Sequence, residues 1–375
     1  MKIAIPLFAV MHRKIGGTES AVYNLIIGLA QQRVRLDLVH AGVERLSPEF
    51  NAWLSAIPAN VSLRRGWALA GPKSLRFLEE TLFGFDRNGA DWVLYPNYFI
   101  SLFRRRNQKV AVILHDVQYK TLPKYHSKKR KAWLDFYLPW MFRRADLVLV
   151  VSQSEKDIIR RHFGDAAADK CAVIYNAIDW TRLEARPSTP DSVNGVSLKQ
   201  RYVFSVSFFF PHKNLKSLLA GFDLLNTRHP DLHLYLAGIA APETLEFLEK
   251  HMSPQARART HMLGFLSDAD LGSVYRNAAI FAMPSLYEGF GMPAVEALGF
   301  GIPTLTTNLT ALPEVTLGQA RYIEDALSPQ AWAEGLDGIL ASGWRPSPQT
   351  VAQIRSRFDI ATVARALLDK LAAFA

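Results

Sequence analysis

Glu288 and Glu296 stand eight residues apart in the stretch Ser285-Leu-Tyr-Glu-Gly-Phe-Gly-Met-Pro-Ala-Val-Glu296. An apolar run, Ala279-Ile-Phe-Ala-Met-Pro284, precedes them and reads as a buried strand. Gly289 and Gly291 follow, and Pro293 opens an apolar helix at its favoured first position. A strand, a glycine turn and a helix start make an anion site. The first helical N–H groups have no partners, and the positive end of the helix dipole points outward. On this reading Glu288 lies on the turn and Glu296 in the first helical turn, both facing the mouth of one pocket. Carboxylates accept hydrogen bonds from hydroxyls, so two of them beside a phosphate cradle suit a sugar-bearing ligand, much as the acid of a dinucleotide site holds ribose. A plainer role for Glu296 is to complement the helix dipole, worth about 0.3–1 kcal/mol.

The pattern Glu288-x7-Glu296 in this strand–turn–helix setting resembles the retaining, nucleotide-sugar-dependent glycosyltransferases of family 4, and among them the bacterial polysaccharide mannosyltransferases. The resemblance covers nearly the whole chain. It implies the GT-B architecture: an α/β protein of two Rossmann-like domains facing an interdomain cleft, with the C-terminal helix crossing back to the first domain. It also implies roles. Glu288 would approach the donor sugar and Glu296 the nucleotide ribose, while the loop Gly289, Phe290, Gly291 and Met292 would cradle the diphosphate.

Other segments join this site through the same resemblance. Gly16 and Gly17 follow the first apolar strand and precede a helix. They do not form a GxGxxG fingerprint, and glycines are common in simple connections. The family carries a Gly-Gly pair here, which makes them contacts of the donor phosphate or the acceptor. His115-Asp116 ends the run Val110 to Leu114. A lone His at a strand end is commonly structural, but the family has an active-site His after this strand. His115 is therefore expected to orient the sugar, with Asp116 fixing its tautomer or binding the acceptor. Lys213 lies in Phe208-Phe-Phe-Pro-His-Lys-Asn-Leu215, at a helix start where the dipole disfavours a cation. An anionic ligand explains it better, and a compact ammonium suits the donor diphosphate. Many family members have an Arg or a small polar residue about where Phe208 stands, so His212 or a backbone amide is expected to substitute. Thr307 and Asn308 are further candidates for sugar or phosphate contact; the alternative is a polar loop before a helix begun by Pro313-Glu314. Tyr175-Asn-Ala-Ile-Asp179 marks a hinge.

The elements that must position these residues alternate between strand and helix. Strands are expected at Lys2 to Val10, Leu36 to His40, Trp92 to Tyr95, Val110 to Leu114 and Leu147 to Val151, then at Tyr202 to Ser207, Leu232 to Ala237, Ile280 to Pro284 and Thr304 to Thr306. Thr18 is a plausible N-cap of the first helix, and Ser154-Glu-Lys-Asp157 has the form of a capping box. Such alternation implies parallel sheets, whose ligands bind beyond the carboxyl ends of the strands. The domains read as 1–180, facing acceptor and membrane; a linker at 181–200; 201–355, binding the nucleotide sugar; and a closing helix at 356–375.

Composition narrows the partners. At 375 residues, 49% hydrophobic and 21% charged, the chain has material for two cores. The lone Cys171 excludes an internal disulfide and fits a reducing compartment. No apolar run reaches the roughly 18 residues of a membrane span. HExxH, P-loop, GxSxG and cysteine clusters are absent, so no metal or other cofactor is expected. Residues 1–180 hold 27 Lys/Arg against 16 Asp/Glu, while 181–375 hold 17 against 18. The basic excess is thus confined to the first half and points to an anionic partner. From Arg104 to Lys131 there are ten Lys/Arg and one acid, Asp116, with Tyr119, Tyr125 and Trp133 interleaved. Docking of residues 104–140 on an anionic membrane fits this mixture; a solvated basic face is the alternative, and no nucleic-acid module is present. The expectation is a cytoplasmic enzyme, peripheral on the inner face of the cytoplasmic membrane. It would move a hexose, mannose from GDP-mannose, to a lipid-linked or cell-surface polysaccharide such as an O-antigen or lipopolysaccharide. A UDP-sugar donor, or a non-catalytic basic adaptor at the membrane, remains as the alternative.

Overall fold

Strands buried on both faces need near-continuous apolar sequence, and the runs Ile3-Ala-Ile5, Val110 to Leu114 and Leu147 to Val150 supply it. A computed structural model describes residues 1–8, 10, 17–66, 76–86, 89–104, 107–186, 190–206, 210–239 and 242–374. Gly16 and Phe208, named above, and Arg105 and Arg106 of the basic segment lie outside the described residues. The chain divides into two units, Met1–Ile178 with Phe358–Ala375, and Asp179–Arg357.

The first unit holds β1 (Lys2–Pro6), β2 (Arg35–His40), β3 (Val61–Arg65), β4 (Trp92–Tyr95), β5 (Lys109–Leu114), β6 (Leu147–Val150) and β7 (Cys171–Val173). They form one parallel sheet in the order β3-β2-β1-β4-β5-β6-β7. The second unit begins with an antiparallel hairpin, β8 (Ser192–Val193) and β9 (Val196–Ser197). Its main sheet contains β10 (Arg201–Val206), β11 (Leu232–Ala237), β12 (Thr260–Gly264), β13 (Ile280–Met283), β14 (Thr304–Thr307) and β15 (Arg321–Ile323), in the parallel order β12-β11-β10-β13-β14-β15. Both sheets are doubly wound, with the order reversing between β1 and β4 and between β10 and β13. In the second unit two apolar clusters cover the sheet. One is built around Phe222, Trp332 and Leu336, the other around Phe204, Tyr275 and Phe281.

The last helix, Ile360–Ala373, belongs to the first unit and packs on the Gly17–Ala30 helix. Its entry is fixed twice. Asp359 caps it by accepting the Ala361 N–H at 2.8 Å, and the Ile178 N–H donates to the Phe358 carbonyl at 2.7 Å. Contact is close because Gly28 has no side chain: a Cβ there would lie 2.3 Å from the Ile360 carbonyl oxygen.

Three local expectations change. The described residues of the expected linker, 181–186 and 190–200, fall in the second unit, which opens with the Trp180–Leu183 helix and the β8–β9 hairpin. The helix Gln153–Phe163 is capped by Ser152, whose hydroxyl accepts the Glu155 N–H, so the capping serine sits two residues before Ser154. The first helix already includes Gly17, which places Thr18 inside it rather than at its cap.

Gly28→Ala tests the helix contact. Alanine gains about 1 kcal/mol in helix propensity, but the clash is with a backbone atom, and overpacking costs about 1–3 kcal/mol. The expected result is a lower unfolding midpoint and faster proteolysis of the last helix. An unchanged midpoint would remove the contact from the set that holds this helix.

Candidate functional site

β10 and β13 are hydrogen-bonded neighbours at the reversal point of the second sheet, with Val203 opposite Ile280 and Phe204 opposite Phe281. The segments leaving their carboxyl ends carry Lys213 and Glu288, where open α/β sheets hold ligands. Lys213 ends a 3-10 turn, Pro211–Lys213, and its N–H donates to the Phe210 carbonyl at 2.9 Å. Asn214 follows in the left-handed region (φ 52°), which Asn tolerates. Its side chain donates to the Ala326 carbonyl at 2.7 Å and accepts from the Ser217 hydroxyl at 2.8 Å. The Leu286 N–H donates to the His212 carbonyl at 2.8 Å, stitching the two segments together. The Lys213 ammonium therefore meets Glu288 Oε1 at 2.6 Å, with side chains 20% and 11% exposed.

The Glu288 N–H donates to the Thr310 hydroxyl at 3.0 Å. Thr310 has φ 51°, a conformation that costs a β-branched residue about 1–3 kcal/mol. Gly291 caps the helix Met292–Gly299 at φ 93° and supplies no side-chain hydrogen bond; Pro293 has no N–H and the Ala294 N–H donates to the Gly291 carbonyl at 3.1 Å, so the helical amide that an anion can meet here is that of Met292. A Cβ on Gly291 would lie 2.7 Å from Leu312 Cδ2. Phe290 and Met292 are buried, so they can offer a ligand only their main chain.

Glu296 departs from the sequence reading. The helix begins at Met292 rather than Pro293, which makes Glu296 its fifth residue and leaves the first turn without an acid. Complementing the dipole is therefore not its role. Glu296 is buried, and its Oε2 accepts the Tyr275 hydroxyl at 2.9 Å. Burial raises its carboxyl to about pKa 7, helped by Asp268 and opposed by Tyr275 and Arg182. Asp268 and Arg182 form an ion pair of their own. Neither Tyr275 nor Thr310 was selected from the sequence. Tyr275 belongs to no motif, and Thr310 lies in the loop that follows Thr307 and Asn308.

Two other candidates are spent on the fold. Thr307 is fully buried, and its hydroxyl donates to the Ser285 carbonyl at 2.7 Å, bracing the segment before Glu288 instead of facing a ligand. The Asn308 amide donates to Glu324 at 3.1 Å. In the first unit, His115 follows β5 and lines a small cavity with Ile113, Tyr175 and Asn176. Its Nε2 donates to the Pro96 carbonyl at 3.0 Å, and burial lowers its pKa. That carbonyl, rather than Asp116, fixes the tautomer; Asp116 is exposed and accepts the Gln118 N–H at 3.1 Å. Gly17 opens its helix exposed, and a side chain there would meet open space. The second unit thus brings together Lys213, Glu288, Gly291 and the start of the Glu296 helix, while His115 and Gly17 belong to the first.

The proton on Glu296 has a measurable consequence. In the folded chain it stays on up to about pH 7, whereas the unfolded carboxyl releases it near its ordinary pKa of 4.5. The unfolded chain binds fewer protons in that window, so this group makes stability fall as pH rises from 4.5 to 7. Glu296→Gln removes the fall. Between pH 5 and pH 8, denaturant unfolding should show the variant gaining on the wild type by on the order of 3 kcal/mol. An equal gap at both pH values would contradict the buried, protonated carboxyl.

Comparison with known proteins agrees with this geometry. Residues 15–182 match the family model described as glycosyltransferase family 4, and residues 190–355 match that described as glycosyl transferases group 1. O-antigen chain mannosyltransferase B of Escherichia coli is 29% identical over 270 residues, which cover 69% of this chain and 68% of that protein. The serotype-specific mannosyltransferase WbdA of Escherichia coli is 30% identical over 242 residues, but only 29% of its length is covered. Among solved structures, sucrose-phosphate synthase from Thermosynechococcus elongatus aligns over 100% of both chains with a TM-score of 0.74 at 19% identity, a likeness of fold. With one matched segment in each of two Rossmann-like units, this GT-B chain belongs to the family 4 glycosyltransferases.

Proposed function

We propose that this glycosyltransferase moves mannose from GDP-mannose to a lipid-linked or cell-surface polysaccharide acceptor, with retention at the anomeric carbon. The Lys213–Glu288 pair at the strand reversal carries the reading. A diphosphate arriving there finds an ammonium and the amide of a helix start. A sugar attached to it comes within reach of the Glu288 carboxylate. The relatives named as O-antigen and serotype-specific mannosyltransferases support mannose and a surface polysaccharide.

Departure of the diphosphate builds negative charge, which Lys213 and the amides from Gly289 to Met292 stabilise in a site already arranged for it. Glu288 orients the sugar ring and Glu296 the ribose. The leaving phosphate takes the acceptor's proton on the face where the acceptor attacks, so no side-chain nucleophile is needed. Because protein cations and amides supply the positive charge, the reaction runs without a metal, and activity is expected to survive a chelator.

The basic segment supports a peripheral place on the inner face of the cytoplasmic membrane. The helix Lys128–Arg144 opens with Lys128, Lys129, Arg130 and Lys131, where the dipole is least favourable to cations. Phe136 on the same helix is 80% exposed and Trp133 is 39% exposed. Cations gain about 1 kcal/mol each at an anionic surface, and aromatic rings settle at its headgroups. Among the described residues, no helix is long and apolar enough to cross a membrane.

Three measurements test these points. Glu288→Ala should lower transfer at least about 100-fold while leaving liposome binding intact; full activity would falsify its assignment. In a thermal-shift panel GDP-mannose should stabilise the enzyme, by about 2.7 kcal/mol at a hundred times its Kd. A response to UDP-sugars alone would replace the donor. Reversing the charges at Lys128 to Lys131 should abolish salt-sensitive sedimentation with anionic vesicles, and unchanged sedimentation would remove the membrane surface.

A further inference from the structure

Among the described residues, four other than glycine have positive φ: Asn194, Asn214, Thr310 and Leu317. Two are asparagines, which tolerate that region, and Leu317 precedes Gly318 in a turn. Thr310 is the β-branched one, and glycine in its place would remove the strain. What glycine lacks is the hydroxyl, and that hydroxyl accepts the Glu288 N–H at 3.0 Å. Glu288 lies between β13 and the Met292–Gly299 helix, where no ladder or helical turn provides an acceptor for its amide.

We propose that Thr310 is a positioning residue for Glu288, retained in a strained backbone because its hydroxyl fixes the carboxylate that faces the transferred sugar. Glu288 is then held at two points, its amide by Thr310 and its carboxylate by Lys213. When a diphosphate engages Lys213, the second hold loosens. Thr310 becomes the attachment that keeps the carboxylate in place through transfer. The inference rests on the reading of Glu288 given above.

Three substitutions separate positioning from stability. Thr310→Gly relieves the strain and removes the acceptor; Thr310→Ser keeps the acceptor; Thr310→Val keeps the branch and removes the acceptor. With GDP-mannose as donor, the Gly and Val variants should lose about ten-fold in kcat, since small misplacements of a reacting group are costly. Their donor KM should stay within about two-fold, because Lys213 and the helix start still hold the diphosphate. Ser should retain kcat. Melting temperature should order differently, with Gly at or above the wild type and Val below it. Hydrogen exchange at the Glu288 amide should quicken in Gly and Val and remain slow in Ser. The proposal is overturned if Gly keeps full kcat, if Ser loses as much as Gly, or if kcat follows melting temperature across the set. Should the wild type turn over no nucleotide sugar, the reading of Glu288 fails, and amide exchange still decides whether Thr310 holds it.

Discussion

An ammonium and a carboxylate 2.6 Å apart, just beyond the carboxyl ends of two strands of the second sheet, are the contact on which the candidate site depends. The pair exists because β10 and β13 are neighbours at a reversal of strand order, so the segments leaving their ends run side by side. Removing charges from water is costly unless each finds a partner. Lys213 and Glu288 answer that requirement for one another before any substrate is present. In the proposed function a diphosphate would take over Lys213 and the hydroxyls of its sugar would take over Glu288, so that neither charge would be left without a partner.

The two glutamates of the motif share a spacing and little else. Glu288 is paired with a cation, while Glu296 is enclosed with a tyrosine hydroxyl. For Glu296 the cost of burying a charge is expressed as proton affinity. At neutral pH it stands near the balance between an acceptor and a donor of hydrogen bonds. A ribose hydroxyl, able to do both, suits such a group better than a phosphate, which only repels the ionised form. Between them stands Gly291, the cap of the helix that carries Glu296, whose left-handed backbone turns the chain sharply enough for the helix start to lie beside Glu288.

What could be read from the sequence follows from burial. Every inner strand of both sheets was expected from the sequence, most of them as apolar runs and β14 on Thr304-Leu-Thr306. The four main-sheet strands that were not, β3, β7, β12 and β15, are the four edges. An edge strand has one neighbour and partial cover, and their mixed exposure shows in sequences such as Val61-Ser-Leu-Arg-Arg65 and Thr260-His-Met-Leu-Gly264. The hairpin at 192–197 was hidden by polar residues that read as a linker. Lys213 stood out in the sequence because the dipole at a helix start disfavours a cation, and Glu288 because glycines follow it; the structure pairs the two. Thr310 and Tyr275 were not, since a hydroxyl gives no sign in one dimension of the backbone amide or carboxyl it will meet. Thr307 was misread for the same reason: only the fold reveals that its hydroxyl is consumed by the Ser285 carbonyl.

The first unit is discontinuous, completed by the chain's final residues against the Gly17–Ala30 helix. Translation at ~5–20 residues per second makes the entire second unit between the two parts, a delay of about 10–40 s. Throughout that interval the apolar flank around Gly28 waits for the helix that covers it. A chain stopped within residues 179–357 would therefore leave both units defective, one truncated and the other unsealed.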